Sequence, residues 1–213
     1  MAGRHINNYL VRKCHRRQLM DSKEKEAMIQ KAYDLGFKYE RDYRGCAQCA
    51  IAGMHDAMGI KNDLVYKAGS GLAGGGGECT TGNCGGYTGA SMVLASFFGR
   101  TRAKEATEEG RADKYDSFRM TRAVHDKFVE KYDSVICEGV QKTLYHGKSY
   151  DLRDEDQKQA FRDAGAHHDD DKCCMAVGDG ARWGMEILLD ELDSMGMTLD
   201  DFRDAEGNQK EPE

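Results

Sequence analysis

A glycine-rich segment that leads directly into a helical pattern is the strongest constraint on this chain. Nine glycines lie between residues 69 and 86, and a helical pattern then runs to Gly99. An ordinary chain contains about 7% glycine, and glycine is used where the backbone bends sharply or approaches another group closely. The segment therefore predicts a loop that wraps around another group and is followed by a helix.

Two cysteines lie in this loop. Cys84 comes just before the helical pattern, where free N–H groups and the positive end of the helix dipole are expected to lower the thiol pKa. Gly85 and Gly89 share one helical face, which lets a second helix or a cofactor come close. The alternative is a flexible linker before a core helix, with Cys79 and Cys84 inert, because free cysteine is often buried.

The remaining patterns predict an all-α fold, a helical bundle that carries the glycine-rich, cysteine-bearing loop. Alternating strand patterns are nearly absent, and the chain contains one proline. Asp21 and Glu24 match a capping box at the start of a first helix, which is predicted to end at Gly36. A second helix is predicted to begin near Gly45 and to end at Gly59.

Composition divides the chain into three segments: a basic N-terminal arm (1–21), a helical cysteine-cluster domain (22–193) and a polar C-terminal tail (194–213). The charged residues 101–114 are expected to be solvated, with Asp116 as the cap of the next helix. Helical spacing also predicts two buried stripes. They are Tyr87, Thr88, Met92, Ala95 and Phe98 after the glycine loop, and Val177, Ala181, Met185, Leu188, Leu189 and Leu192 in the last helix.

Charge and hydropathy exclude several classes of protein. The formal net charge of -6 argues against a nucleic-acid surface, which needs a concentrated basic face. The sequence contains no apolar run of about 18 residues, the length that would predict a membrane span. No secretory or twin-arginine signal is recognised before the domain. A cytoplasmic location is therefore expected. In that reducing compartment, the eight cysteines favour metal binding or catalysis over a disulfide framework.

Four of the cysteines occur at helix beginnings or on helix faces. Cys46 forms a Cys-x-x-Cys pair with Cys49, which fits a redox pair, a zinc half-site or a cluster half-site. Both of these thiols are predicted to point from one helical face into the core. With Cys84, Cys137 and Cys173, Cys46 supplies four inward sulfurs. Such sulfurs form a cradle for a metal or an iron–sulfur cluster, because coordination removes the cost of ionising adjacent thiols.

Landmark motifs from about residue 43 to 190 resemble the redox-active C_GCAxxG_C_C family. They are Gly45-Cys46-Ala47-Gln48, the run Gly82-Asn83-Cys84-Gly85-Gly86-Tyr87-Thr88-Gly89, Phe98-Gly99-Arg100, Tyr132-Asp133-Ser134 with Cys137, Tyr150-Asp151-Leu152, and Asp171-Lys172-Cys173 with Glu186-Ile187-Leu188. The resemblance implies a small helical redox protein of anaerobic or facultative organisms. It maps the four family cysteines onto Cys46, Cys84, Cys137 and Cys173.

The same module is similar to the iron–sulfur part of split-Soret cytochromes c. That similarity implies a [4Fe–4S] or [2Fe–2S] cluster and a homodimer. Haem is not carried over, because the chain lacks Cys-x-x-Cys-His. Gly86 replaces the alanine that is usual in the family, which allows closer packing.

Three functions remain open at this level. The first is an iron–sulfur electron carrier with an unidentified redox partner protein, and whether it also acts as an oxidoreductase is open. The second is a metal-free thiol–disulfide oxidoreductase that uses Cys84. The third is a structural zinc module. Cys49 and Cys79 are candidate additional ligands or resolving thiols, whereas Cys174 points about 100° away from Cys173 on a helix.

Overall fold

The computed structural model describes residues 20–210, which form eight α-helices and no β-strand. The predicted all-α fold is therefore confirmed. Short 3₁₀ turns occur at Gly69–Leu72, Arg102–Lys104 and Leu199–Phe202. The helices are α1 (Ser22–Asp42), α2 (Cys46–Met58), α3 (Asp63–Ala68), α4 (Gly85–Phe98), α5 (Glu108–Tyr132), α6 (Cys137–Leu144), α7 (Glu155–Asp163) and α8 (Cys173–Met195).

The predicted start of α1 is confirmed, but its predicted end is wrong. Asp21 accepts the backbone N–H of Glu24, and the Glu24 side chain accepts the N–H of Asp21, as in a capping box. The helix passes through Gly36 and ends at Asp42. A Cβ built at Gly53 of α2 would lie 2.7 Å from the Gly36 nitrogen. Gly36 therefore serves close packing between two helices and does not end one.

Helix α2 has the predicted boundaries, whereas α5 begins earlier than predicted. Gly45 and Gly59 flank α2, and both adopt a left-handed backbone conformation. Helix α5 begins at Glu108 because the side chain of Thr107 caps it and accepts the N–H of Gly110. Asp116 is an interior residue of α5. The pattern missed the first two turns of α5 because they carry few apolar residues.

The core is a bundle in which α2 and α4 pack against each other and against α8, and α1 packs against α2 and α8. Glycine sets the closeness of these contacts. A Cβ at Gly89 of α4 would lie 2.4 Å from the carbonyl oxygen of Ala47 in α2. Likewise, a Cβ at Gly86 would lie 2.5 Å from the carbonyl oxygen of Ala176 in α8. The predicted close approach of a second helix at Gly85 and Gly89 is thus confirmed.

The buried stripe of α4 differs from the predicted one, whereas that of α8 matches. The buried residues of α4 are Gly85, Gly86, Gly89, Ala90, Val93, Leu94 and Phe97, and Ala95 is exposed. The predicted stripe followed the larger side chains, but here the glycine face makes the closest helix contacts. In α8, all six residues predicted to face inward are buried.

A buried carboxylate joins α5 to α8. Asp179 is fully buried and accepts hydrogen bonds from the Tyr132 hydroxyl and from Lys131 and Arg182. A buried charge is tolerated when it is paired and hydrogen-bonded. This network therefore fixes the end of α5, from which the chain turns toward α6.

Residues after α8, assigned by composition to a polar tail, contribute to the core in their described part. Phe202 is 2% exposed, and its ring centroid lies 5.0 Å from that of Phe97. Gln209 donates a hydrogen bond to the carbonyl of Ser96 in α4. Residues 1–19 of the basic arm lie outside the described residues. None of the helices in the described part has the length and apolar character needed to cross a membrane.

The contact between α4 and α2 can be tested by Gly89→Ala. The added methyl group meets the Ala47 carbonyl and, at 2.8 Å, the Ala50 Cβ. We expect a loss of about 1–3 kcal/mol of unfolding free energy through overpacking. Urea unfolding should show a lower midpoint with an unchanged slope. In the control, Gly71→Ala, no atom lies within 4 Å of the new Cβ. Equal midpoints for the two variants would contradict the assigned role of Gly89.

Candidate four-cysteine site

The four cysteines predicted to be inward all lie at helix N-termini. Cys46, Cys137 and Cys173 are the first residues of α2, α6 and α8, and Cys84 is the N-cap of α4. All four line one cavity of about 320 Å³. The N-terminus of a helix carries partial positive charge and free N–H groups. Four helix ends therefore make this cavity favourable for negative charge.

Backbone pairing between the glycine loop and the start of α6 brings Cys84 next to Cys137. The Cys84 N–H donates to the Val135 carbonyl at 2.7 Å, and the Cys137 N–H donates to the Gly82 carbonyl at 2.9 Å. The carbonyl of Thr80 accepts the N–H of Glu138 at 2.9 Å. These hydrogen bonds join residues more than 50 positions apart, so the local sequence pattern gave no sign of them.

The glycine run takes a path that only glycine adopts readily. Gly74, Gly75, Gly76 and Gly77 all have positive φ, between 56° and 80°. A Cβ at Gly75 would lie 2.8 Å from the Cβ of Cys137. Side chains would be strained at all four positions, and at Gly74 and Gly75 they would also be obstructed. The loop thus wraps the cysteine cavity, as the sequence predicted.

Two of the four thiols accept hydrogen bonds from backbone N–H groups. The Gly74 N–H donates to Cys46 Sγ at 3.3 Å, and the Gly85 N–H also contacts this sulfur. The sulfur of Cys84 accepts from the N–H groups of the next turn, at Gly86 and Tyr87. A Cβ at Gly85 would lie 2.1 Å from Cys46 Sγ. Glycine at this position is therefore required for the two thiols to lie close together.

Side chains lie beside the other two thiols. The Gln141 amide donates to Cys137 Sγ at 3.6 Å, and the Tyr145 hydroxyl lies 3.6 Å from Cys173 Sγ. Both partners belong to α6 or its C-cap. Each cavity sulfur thus has a hydrogen-bonding group beside it, an arrangement that stabilises thiolate ligands of metals.

The expected low pKa of Cys84 is wrong. Burial raises the pKa of this thiol to about 12, and the charge of Cys137 also raises it. The N–H groups of Gly86 and Tyr87 lower it, but desolvation of the thiolate is the larger effect. Burial likewise raises the pKa values of Cys46, Cys137 and Cys173. The sequence showed the helix N-terminus, but it did not show the burial.

The other described cysteines do not line this cavity. Cys49 is 3% exposed, and its thiol donates to the Arg44 carbonyl at 3.1 Å. Cys49 packs against Cys46, as the shared helical face predicted, but it does not line the cavity. Cys79 donates weakly to the Gly77 carbonyl at 3.7 Å, and Cys174 is fully buried. The thiols of Cys46, Cys84 and Cys137 accept hydrogen bonds, whereas those of Cys49 and Cys79 donate them. Cys173 is the member of the Cys173–Cys174 pair that faces the cavity.

The four thiols surround the cavity without converging on a point. Within residues 20–210, no three His, Cys, Asp or Glu side chains are grouped so as to hold a single metal ion. A tetrahedral zinc site needs sulfurs at about 2.3 Å from one centre. An iron–sulfur cluster distributes its cysteine ligands over several iron atoms, so it suits a wider ring of thiols.

A buried acid and a histidine, neither selected as a site residue from the sequence, also line the cavity. Glu40 is 3% exposed, and its Oε1 lies 3.5 Å from His167 Nδ1. This distance suits an ion pair, but burial raises the pKa of Glu40 to about 8 and lowers that of His167 to about 4. Both groups are therefore mainly neutral at pH 7. No sequence motif indicated a functional role for Glu40, because it lies among the other charged residues of α1.

The fold and the site together define a class: an all-α protein in which four helix N-termini present cysteines to one cavity. The family model described as "Putative redox-active protein (C_GCAxxG_C_C)" matches residues 45–187, more than half of the chain. The chain belongs to this family, and membership supports a redox role. Comparisons with curated proteins and with solved structures gave no match.

The assigned burial of the thiols predicts their order of alkylation. In the metal-free, reduced protein at pH 7, Cys79 should react with iodoacetamide well before Cys84 and Cys174, which are 7% and 0% exposed. Peptide mass spectrometry measures each rate, and the same reaction in urea provides the control in which all three react. Rapid labelling of Cys84 in the folded protein would contradict the burial and would favour a thiol nucleophile.

A second cavity, of about 440 Å³, borders α2 along Cys49 and His55. His55 is 5% exposed, and its Nε2 has no hydrogen-bond partner among the described residues. Burial lowers the pKa of His55 to about 4, although Asp56 and Asp63 oppose the shift. The unfolded chain, with a histidine pKa near 6.5, binds the proton first as the pH falls. Protonation of His55 therefore destabilises the fold below pH 6.5.

Replacing this histidine should reduce the sensitivity of the fold to acid. Between pH 6.5 and pH 4, His55→Leu should lose about 2 kcal/mol less unfolding free energy than the unsubstituted protein. Urea unfolding at a series of pH values measures the difference. His125→Gln is the control, because the side chain of His125 is 43% exposed. Parallel pH curves for His55→Leu and the unsubstituted protein would show that the pKa of His55 is not depressed.

Proposed function

We propose that this protein is an iron–sulfur electron-transfer protein whose cluster is held by Cys46, Cys84, Cys137 and Cys173. The observation that carries the proposal is the arrangement of the four thiols. Each begins or caps a helix, each lines the same cavity, and each has a hydrogen-bonding group beside its sulfur. Membership of the C_GCAxxG_C_C family supports a redox role, and the sequence resemblance to the iron–sulfur module of split-Soret cytochromes c is the reason for proposing a cluster at these cysteines.

The chemistry of the donor set fits such a cluster, either [4Fe–4S] or [2Fe–2S]. When bound, a cluster supplies reversible one-electron transfer. Four cysteines complete its ligands, which favours an electron carrier over a substrate-binding iron site. Thiols with raised pKa values are neutral by themselves, and coordination to iron provides the positive charge that stabilises them as thiolates.

The residues around the sulfurs would tune the reduction potential. N–H donors at Gly74, Gly85 and Gly86 place positive charge next to the sulfurs and stabilise an added electron, which raises the potential. The helix N-termini act in the same direction.

The two other functions have less support. A thiol–disulfide oxidoreductase needs a thiolate near neutral pH, and burial opposes this at Cys84. A structural zinc site needs side chains that converge on one ion, and the described residues contain no such group. Exchange of electrons with a redox partner protein, a homodimer and a cytoplasmic location complete the proposal. They rest on the resemblance and on the composition.

Adjacent cysteines provide a matched test of the ligand set. Cys173 lines the cavity and Cys174 does not. After anaerobic purification from iron-supplied cells, Cys174→Ala should retain the iron, the acid-labile sulfide and the visible absorbance that dithionite bleaches. Cys173→Ala should lose most of the iron and sulfide, because one ligand is missing. Iron, zinc and sulfide analysis with visible spectra measures both.

The same experiment separates the three functions. Zinc without sulfide in the unsubstituted protein would favour the structural site. A colourless, metal-free protein with a reversible thiol pair would favour the oxidoreductase. Loss of the cluster in Cys174→Ala but not in Cys173→Ala would contradict the ligand assignment, and urea unfolding of each variant controls for loss of the fold.

A further inference from the structure

The cysteine cavity has a polar wall that electron transfer by the four thiols does not use. Its lining includes Glu40 at the end of α1, Arg44 in the turn before α2, Arg162 in α7 and His167 in the turn after α7. These residues come from two parts of the chain, and an ion pair between Arg41 and Asp170 at 2.7 Å holds the two parts together. The wall is therefore built by the tertiary structure.

Two guanidinium groups in this wall have no acidic partner. Among the described residues, neither Arg44 nor Arg162 lies within ion-pair distance of a carboxylate, although the protein carries 37 acidic and 31 basic residues. Arg162 donates to the neutral Gln159. By contrast, Lys158 of the same cavity pairs with Glu78 at 2.7 Å. The unpaired arginines give this wall a local excess of positive charge.

The two arginines lie close to His167 and Glu40. Both guanidinium charges lower the pKa of His167, and Arg44 also acts on Glu40. Neither arginine is among the groups that shift the pKa values of Cys46, Cys84, Cys137 or Cys173. Their positive charge therefore acts on the polar wall.

Within the described part of the chain, two buried polar atoms in the wall have no hydrogen-bond partner. They are Glu40 Oε2 and His167 Nδ1, both with almost no accessible surface. Buried polar atoms are nearly always hydrogen-bonded, and an unpaired one is costly. These two atoms line a cavity beside an exposed arginine, Arg44, and a half-buried one, Arg162. The arrangement suits the binding of a polar, negatively charged ligand.

Arg44 also holds a backbone conformation that arginine disfavours. Its φ is 62°, and the next residue, Gly45, has φ 91°. A non-glycine residue with this backbone is strained. Glycine would satisfy the turn without that strain. The turn itself therefore gives no reason for an arginine at this position.

We propose that the polar wall binds a small oxyanion, either a carboxylate or an inorganic oxyanion, beside the four cysteines. Guanidinium groups match the planar, paired oxygens of such anions. A cavity of about 320 Å³ restricts the ligand to a small molecule. The proposal goes beyond the proposed function, because anion binding is measured independently of the cluster.

Calorimetric titration of the full chain, purified anaerobically, tests the site with sodium acetate, nitrite and phosphate in a chloride buffer. We expect saturable binding of at least one anion. Arg44→Gly and Arg162→Gln should each weaken binding at least tenfold. In urea unfolding, Arg44→Gly should keep or raise its midpoint, because glycine relieves the strained backbone. Arg153→Gln is the control, since Arg153 pairs with Asp151 outside the cavity lining.

The pattern of binding identifies the ligand class. Preference for acetate indicates a carboxylate ligand, and preference for nitrite or phosphate indicates an inorganic oxyanion. Absence of saturable binding, or equal binding in Arg44→Gly and Arg153→Gln, would overturn the proposal. So would arginine variants that shift only the reduction potential, since the cations would then serve the cluster. Iron and sulfide analysis of the same samples tests separately whether the protein binds an iron–sulfur cluster.

Discussion

The close contact between the N-termini of α2 and α4 is the constraint on which the rest of the structure depends. Gly85 leaves no room for a side chain, because a Cβ there would lie 2.1 Å from Cys46 Sγ. Gly89 continues the contact one turn later against the Ala47 carbonyl. Two helices that meet this closely bring Cys46 and Cys84 to one cavity, and the glycine loop then closes over both.

Burial and helix N-termini act in opposite directions on the cavity thiols. Desolvation disfavours the thiolate, while N–H groups and helix dipoles favour it. In Cys84 the first effect is larger, which raises the pKa of the thiol to about 12. A bound cationic group reverses the balance, because the hydrogen bonds that are too weak to ionise a lone thiol still stabilise a coordinated one. The same burial that disfavours a free nucleophile therefore favours a metal ligand.

The cavity combines two chemically different walls. Sulfurs from four helices form one wall. The other wall contains Glu40 and His167, together with two arginines, Arg44 and Arg162, that pair with no carboxylate among the described residues. The proposed electron carrier needs only the sulfur wall, which explains why the family motifs centre on cysteine and glycine. The polar wall places positive charge close to the proposed site of electron transfer, and this would let a small anion share the cavity.

The sequence by itself determined the helical class, the limits of α2 and the buried face of α8, because helical periodicity and caps are local properties. The ring of four cysteines could be inferred from motifs, but their common cavity is seen only in the structure. Tertiary structure alone decided that α1 passes Gly36, that Cys49 does not share the cavity of Cys46, and that Glu40 faces the sulfurs. A glycine looks the same in sequence whether it ends a helix or packs against one, and the burial that sets a thiol pKa comes from residues distant in the chain.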